Sequence, residues 1–211
     1  MAVGGNGVFV AALGSGVVED SDVRTVEGTV LFVDVATMEG KGKAQKDSSS
    51  GYPTCAVFGS GDLCYVGMSG GSVQVLDAAK CSYESTVTEG IGGKVVSLDV
   101  SSDGALIAVG GDGGQMKFFS AKGEEKSLED AAGAEWVNST FIYDSKYLEV
   151  GGGGVSSVCG GLVGTAGGSV SVASGDLVVH GGSVEGLGKC GETGFWSFSG
   201  ADNAVFFWGK R

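Results

Sequence analysis

One short phrase recurs along this chain at a nearly constant interval. A glycine followed by an alternating apolar run begins at Gly28, at Gly71 and at Gly114, so the first two intervals are both 43 residues. Weaker copies begin at Gly168 and Asn203. Apolar residues at alternate positions predict half-buried strands. A repeat at this spacing indicates an architecture that stacks copies of one supersecondary unit.

Each copy belongs to a group of strand-like runs. One run precedes every copy: Val8–Leu13, Leu63–Met68, Leu106–Val109, Leu162–Ala166 and Phe195–Ser199. Another precedes most of them: Thr54–Phe58, Val95–Val100, Val155–Val158 and Val184–Leu187. Ser-Gly and Asp-Gly pairs separate the runs, and such pairs are typical of hairpin turns because Gly accepts positive φ. The repeated unit is therefore predicted to hold three or four antiparallel strands.

Four strands in a unit of this length resemble a blade of the WD40-repeat family. The family's closing dipeptide is degenerate here: Val33-Asp34, Leu76-Asp77, Phe119-Ser120, Ala173-Ser174 and Trp208-Gly209. The resemblance covers nearly the whole chain. It implies one all-β domain, a WD40-like β-propeller of about five four-stranded blades. The approximate blades are residues 1–43, 44–88, 89–133, 134–178 and 179–211.

The ends of the chain do not match the family's usual closure. The run at Val8 corresponds to a second strand of a blade, and the run ending at Trp208 corresponds to a third. We therefore expect an unusually small ring, an incomplete or open propeller, or part of a longer protein. An open sheet edge invites pairing with another chain, so completion by a partner is an explicit hypothesis.

The last unit contains a suggestive set of polar residues. It holds His180, Ser197, Ser199, Asp202 and Trp208. In the family, side chains of these types form a hydrogen-bonded line, which here would involve Ser197 or Ser199. A Ser-His-Asp catalytic set is the alternative interpretation. We prefer the structural interpretation, because triads are recognised by geometry rather than by residue type.

Composition restricts the classes of function. The net charge of -12 and the absence of a long basic run argue against direct binding of nucleic acid. No apolar run reaches the length of a spanning helix, so membrane insertion is not expected. Five cysteines without CxxC spacing favour a reduced, intracellular and most simply cytoplasmic protein.

No cofactor or metal is expected. His180 is the single histidine, so a histidine cluster for zinc is excluded. The glycine-rich phrases lack the Gly-Lys-Ser/Thr and the following helix of a phosphate loop, and they fit hairpin turns better. The acidic pairs near Glu124 and Asp130 lack the spacing of a calcium loop.

Two segments depart from the repeat. Gly14–Glu27 is interpreted as an acidic loop inserted between two strands, either mobile or partner-binding. Residues 134–154 fit the repeat worst, and Glu124–Ala132 is expected to be a loop. The candidate partner-binding residues are Glu19, Asp20, Asp22, Trp136 and Trp196.

These features favour a non-catalytic scaffold that serves as a subunit of a multiprotein complex. Val95–Phe119 is similar to the actin-interacting propeller proteins. The long excursion in the first blade and the Asp202-Asn203 pair are similar to the propeller adaptor of type II arginine methyltransferases. A propeller enzyme or small-ligand binder is the alternative of a different class. It would require polar residues converging on a channel, where this sequence offers mainly Gly, Ser and Val.

Overall fold

A computed structural model defines the fold. It describes residues 2–4, 9–20, 23–44, 50–113, 116–131, 134, 155–159, 162–165, 169–172, 175–178, 180–182, 184–190 and 194–208. The chain divides into two compact units, Met1–Val95 and Val96–Arg211. Their described strands form antiparallel sheets.

The first unit contains two four-stranded sheets, and in each the strands lie side by side in chain order. The first sheet contains β1 (Ala2–Gly4), β2 (Phe9–Asp20), β3 (Val23–Asp34) and β4 (Gly40–Ala44). The second contains β5 (Pro53–Phe58), β6 (Leu63–Met68), β7 (Val73–Asp77) and β8 (Ser82–Thr88). Consecutive strands in this arrangement are the meander expected of a propeller blade.

A shared core joins these two sheets. Phe32 of β3 is fully buried, and its ring meets that of Phe58 of β5 edge to face, with centroids 6.3 Å apart. Val66, Met68 and other buried side chains of both sheets complete the cluster. Burying apolar side chains between stacked sheets is the main stabilising contribution available to such a unit.

The turn after the third strand of a sheet repeats a hydrogen-bonding scheme. Asp34 accepts bonds from the backbone N–H groups of Ala36 and Thr37, and Asp77 accepts one from that of Lys80. At the equivalent position in the next repeat, the hydroxyl of Ser120 accepts from two turn N–H groups. The degenerate dipeptide therefore keeps its turn-forming role, because Ser can replace Asp as the acceptor.

The described strands of the second unit form three sheets. The first contains β9 (Val95–Val100), β10 (Leu106–Gly111), β11 (Met116–Ser120) and β12 (Glu125–Lys126), followed by the one-turn helix α1 (Leu128–Ala131). The next contains β13 (Val155–Cys159), β14 (Leu162–Thr165), β15 (Ser169–Val172) and β16 (Gly175–Val178). The last has three described strands, β17 (Gly186–Cys190), β18 (Gly194–Ser199) and β19 (Ala204–Trp208).

Two expectations from the sequence are wrong. Gly14–Glu27 is not a loop insertion, because β2 and β3 continue through it as a paired hairpin as far as Asp20 opposite Val23. Residues 125–131 form a short strand and a helical turn rather than a loop throughout. The run at Val8 is the second strand of its sheet, as the sequence predicts, because Ala2–Gly4 pairs with it as the first.

Candidate functional site

The candidate site is built on the last sheet. Ser197 lies in the middle strand β18, opposite Leu187 of β17 and Phe206 of β19. His180 precedes β17, and Trp208 ends β19. Asp202 lies in the turn between β18 and β19, which Asn203 closes with a φ of 50°. Asn tolerates this left-handed conformation better than most residues, so it suits a tight hairpin turn.

A continuous hydrogen-bond network joins four of these side chains. Nδ1 of His180 lies 3.2 and 3.3 Å from the two carboxylate oxygens of Asp202. Nε2 of His180 lies 2.9 Å from Oγ of Ser197. The indole Nε1–H of Trp208 donates to the same Oγ over 3.0 Å. His180 and Ser197 are buried, so the centre of the network is shielded from solvent.

The chemistry of the donors assigns the protons. An indole N–H can only donate, and a carboxylate can only accept. With neutral His180 protonated on Nδ1, its ring donates to Asp202 and accepts the hydroxyl proton of Ser197. Ser197 then uses its oxygen for Trp208 and its proton for His180. This tautomer gives every link in the chain a donor and an acceptor.

Aromatic packing covers the network. The ring of Phe206 meets that of His180 at a centroid distance of 5.0 Å and an angle of 67°. It also lies 6.0 Å from the ring of Trp208. Edge-to-face contacts of this kind add to the burial of the rings themselves. Phe206 therefore packs against two members of the network, His180 and Trp208.

The carboxylate of Asp202 also accepts a hydrogen bond from the backbone. The backbone N–H of Gly181 donates to it over 3.0 Å, and this bond, followed by the bond from His180, lowers the pKa of the carboxyl below its ordinary value of 3.8. Hydrogen bonds to an ionised carboxylate favour the charged form. Asp202 thus ties the turn of the last hairpin to the segment before β17.

Acid should weaken this tie. Because the pKa of Asp202 is lower in the folded state, its contribution to stability is present above about 3.8 and is lost as the pH falls through the lower folded value. We expect the difference in Tm between the natural chain and Asp202→Asn to shrink as the pH falls below 3.8. Thermal unfolding followed by tryptophan fluorescence from pH 7 to pH 2 checks this. A difference that stays constant across that range would contradict the assignment.

The other residues singled out in the sequence lie elsewhere. Oγ of Ser199 accepts a bond from the backbone N–H of Ala201, whereas Ser197 is the serine that meets His180. Trp196 is half-buried, and its ring lies over Gly186. Glu19 and Asp20 lie on β2 opposite Arg24 and Val23. Asp22 and Trp136 lie outside the described residues.

Sequence reasoning missed one feature of this sheet. Val205, Phe206 and Phe207 of β19 are 50%, 40% and 71% exposed. An apolar strand is normally read as core, so the sequence alone predicts burial. Within the described part of the last sheet, β19 is an edge strand, because the strand order is β17-β18-β19. In the described part of this sheet, β19 is therefore an apolar strand with exposed side chains.

Among the described residues, no three His, Cys, Asp or Glu side chains are grouped to hold a metal ion. None of the helices in the described part of the chain has the length and apolar character to span a membrane.

Comparison with solved structures defines the fold class. The chain is similar to a WD40 propeller chain in the "Crystal Structure of Mitotic Checkpoint Complex", with a TM-score of 0.63 and 17% sequence identity over 98% of this chain. It is also similar to the "computationally designed Ika8 protein", with a TM-score of 0.56 and 15% identity over 92% of this chain. The protein is all-β and has a WD40-like β-propeller fold, as the sequence predicts.

The chain matches only part of each of these two proteins. The chain spans 59% of the first of those proteins and 57% of the second. No protein-family model and no curated protein sequence matches it.

Proposed function

We propose that this chain is a non-catalytic scaffold for protein–protein interaction and a subunit of a larger, intracellular and cytoplasmic complex. The exposed apolar edge of β19 carries the proposal. Phe207 is 71% exposed at the edge of the last described sheet. An apolar edge strand offers both unpaired backbone groups and side chains to a partner, as in β-strand addition.

The comparison supports a role of this class. The similar propeller chain comes from the structure of a mitotic checkpoint complex. Similarity of fold alone does not identify a function, so the edge strand remains the main argument. The proposed partner is another protein subunit that completes this edge, and neither nucleic acid nor membrane is proposed as a ligand. The actin-binding and methyltransferase-adaptor roles are narrower forms of the same proposal.

The geometry of the polar network supports the proposal that the scaffold is non-catalytic. A serine nucleophile needs an accessible oxygen and a free approach to a carbonyl carbon. Ser197 is fully buried, and its oxygen already accepts the indole N–H of Trp208. Its position between His180 and Trp208 therefore favours a role in fixing the sheet.

Two of the described thiols, those of Cys55 and Cys64, also support a non-catalytic role. Burial raises the pKa of Cys55 to about 11 and that of Cys64 to about 12. A thiolate is the reactive form of cysteine, and neither thiol ionises appreciably at neutral pH. These two cysteines are therefore assigned to packing, and a cysteine-based activity is not proposed for them.

Substitution of Phe207 tests the scaffold. We expect Phe207→Lys to weaken binding of the partner subunit about tenfold or more, because an exposed aromatic on an apolar edge is a typical interface anchor. The measurement is quantitative recovery of co-purifying subunits from native lysate, followed by titration of the main subunit against both chains. Circular dichroism and Tm establish that the variant is folded.

A matched control tests whether the loss of binding is specific to β19 or follows from placing a charge at any exposed apolar residue. Met38 is 76% exposed in the turn between β3 and β4, outside the edge of the last sheet. Met38→Lys introduces the same charge at an equally exposed apolar position and should leave recovery unchanged. Recovery of the same subunits by Phe207→Lys, or of none by the natural chain, would refute the proposal.

A further inference from the structure

We draw no further inference here: the strongest candidate, the surface patch that Val35 and Met38 form in the turn between β3 and β4 at 38% and 76% exposure, carries none, because nothing in the described part of the structure shows what covers it.

Discussion

Replacing Phe32 with alanine is expected to lower the free energy of unfolding of the Met1–Val95 unit by about 3–5 kcal/mol. The side chain is fully buried and meets Phe58 of the second sheet edge to face. Truncation removes the transfer free energy of a large ring and leaves a cavity between two sheets. The rigid strands on both sides cannot collapse fully into that space.

Urea unfolding measures this loss, with the midpoint and the slope fitted separately. Met38→Ala is the control in the same unit, because it truncates an apolar side chain that is 76% exposed. The control should change the free energy of unfolding by less than about 0.5 kcal/mol. Similar losses for both variants would contradict the assignment of Phe32 to the core between the sheets.

The repeated strands could be predicted from the sequence because two signals coincide in each of them. Alternating apolar residues identify the strand, and glycine or aspartate identifies the turn that limits it. Leu63–Met68 and Val95–Val100 are predicted with the bounds that β6 and β9 have in the structure. The turn after β11 shows that a side-chain acceptor matters more than the exact dipeptide, because Ser120 replaces the aspartate.

The length of the β2–β3 hairpin could not be predicted because two signals within Gly14–Glu27 disagree. Four acidic residues within a dozen indicate a solvated loop. Val17, Val18, Thr25 and Val26 are instead β-branched residues, which favour strands. Cross-strand pairing decides the outcome, and it depends on a register that the linear sequence does not reveal.

The sequence also could not decide which of two serines is hydrogen-bonded to His180. Ser197 and Ser199 are two residues apart on β18, so the alternation of a strand places both on the same face. Both are also fully buried. Only the position of His180, which precedes β17, determines that Ser197 rather than Ser199 is hydrogen-bonded to the imidazole. Residue type and spacing identify the candidates, and the path of the neighbouring segment selects between them.

Ser197→Ala is expected to cost the second unit about 2–4 kcal/mol, since each buried polar group that loses its partner costs about 1–3 kcal/mol. Nε2 of His180 and the indole N–H of Trp208 both lose their bond to this hydroxyl. Water cannot readily replace the hydroxyl, because the site is fully buried. The small volume change from Ser to Ala means that lost hydrogen bonds, rather than a cavity, account for the effect.

Ser199→Ala provides the comparison that tests this explanation. Ser199 is equally buried on the same strand, but among the described residues its hydroxyl makes one hydrogen bond, to the backbone of Ala201. Its loss should cost about 0.5–1.5 kcal/mol. Chemical unfolding monitored by tryptophan fluorescence, together with a double-mutant cycle between Ser197→Ala and Trp208→Phe, measures the coupling. A strongly non-additive cycle would show that the two side chains act through their shared bond, whereas equal losses for the two serine variants would show that the network contributes nothing beyond ordinary burial.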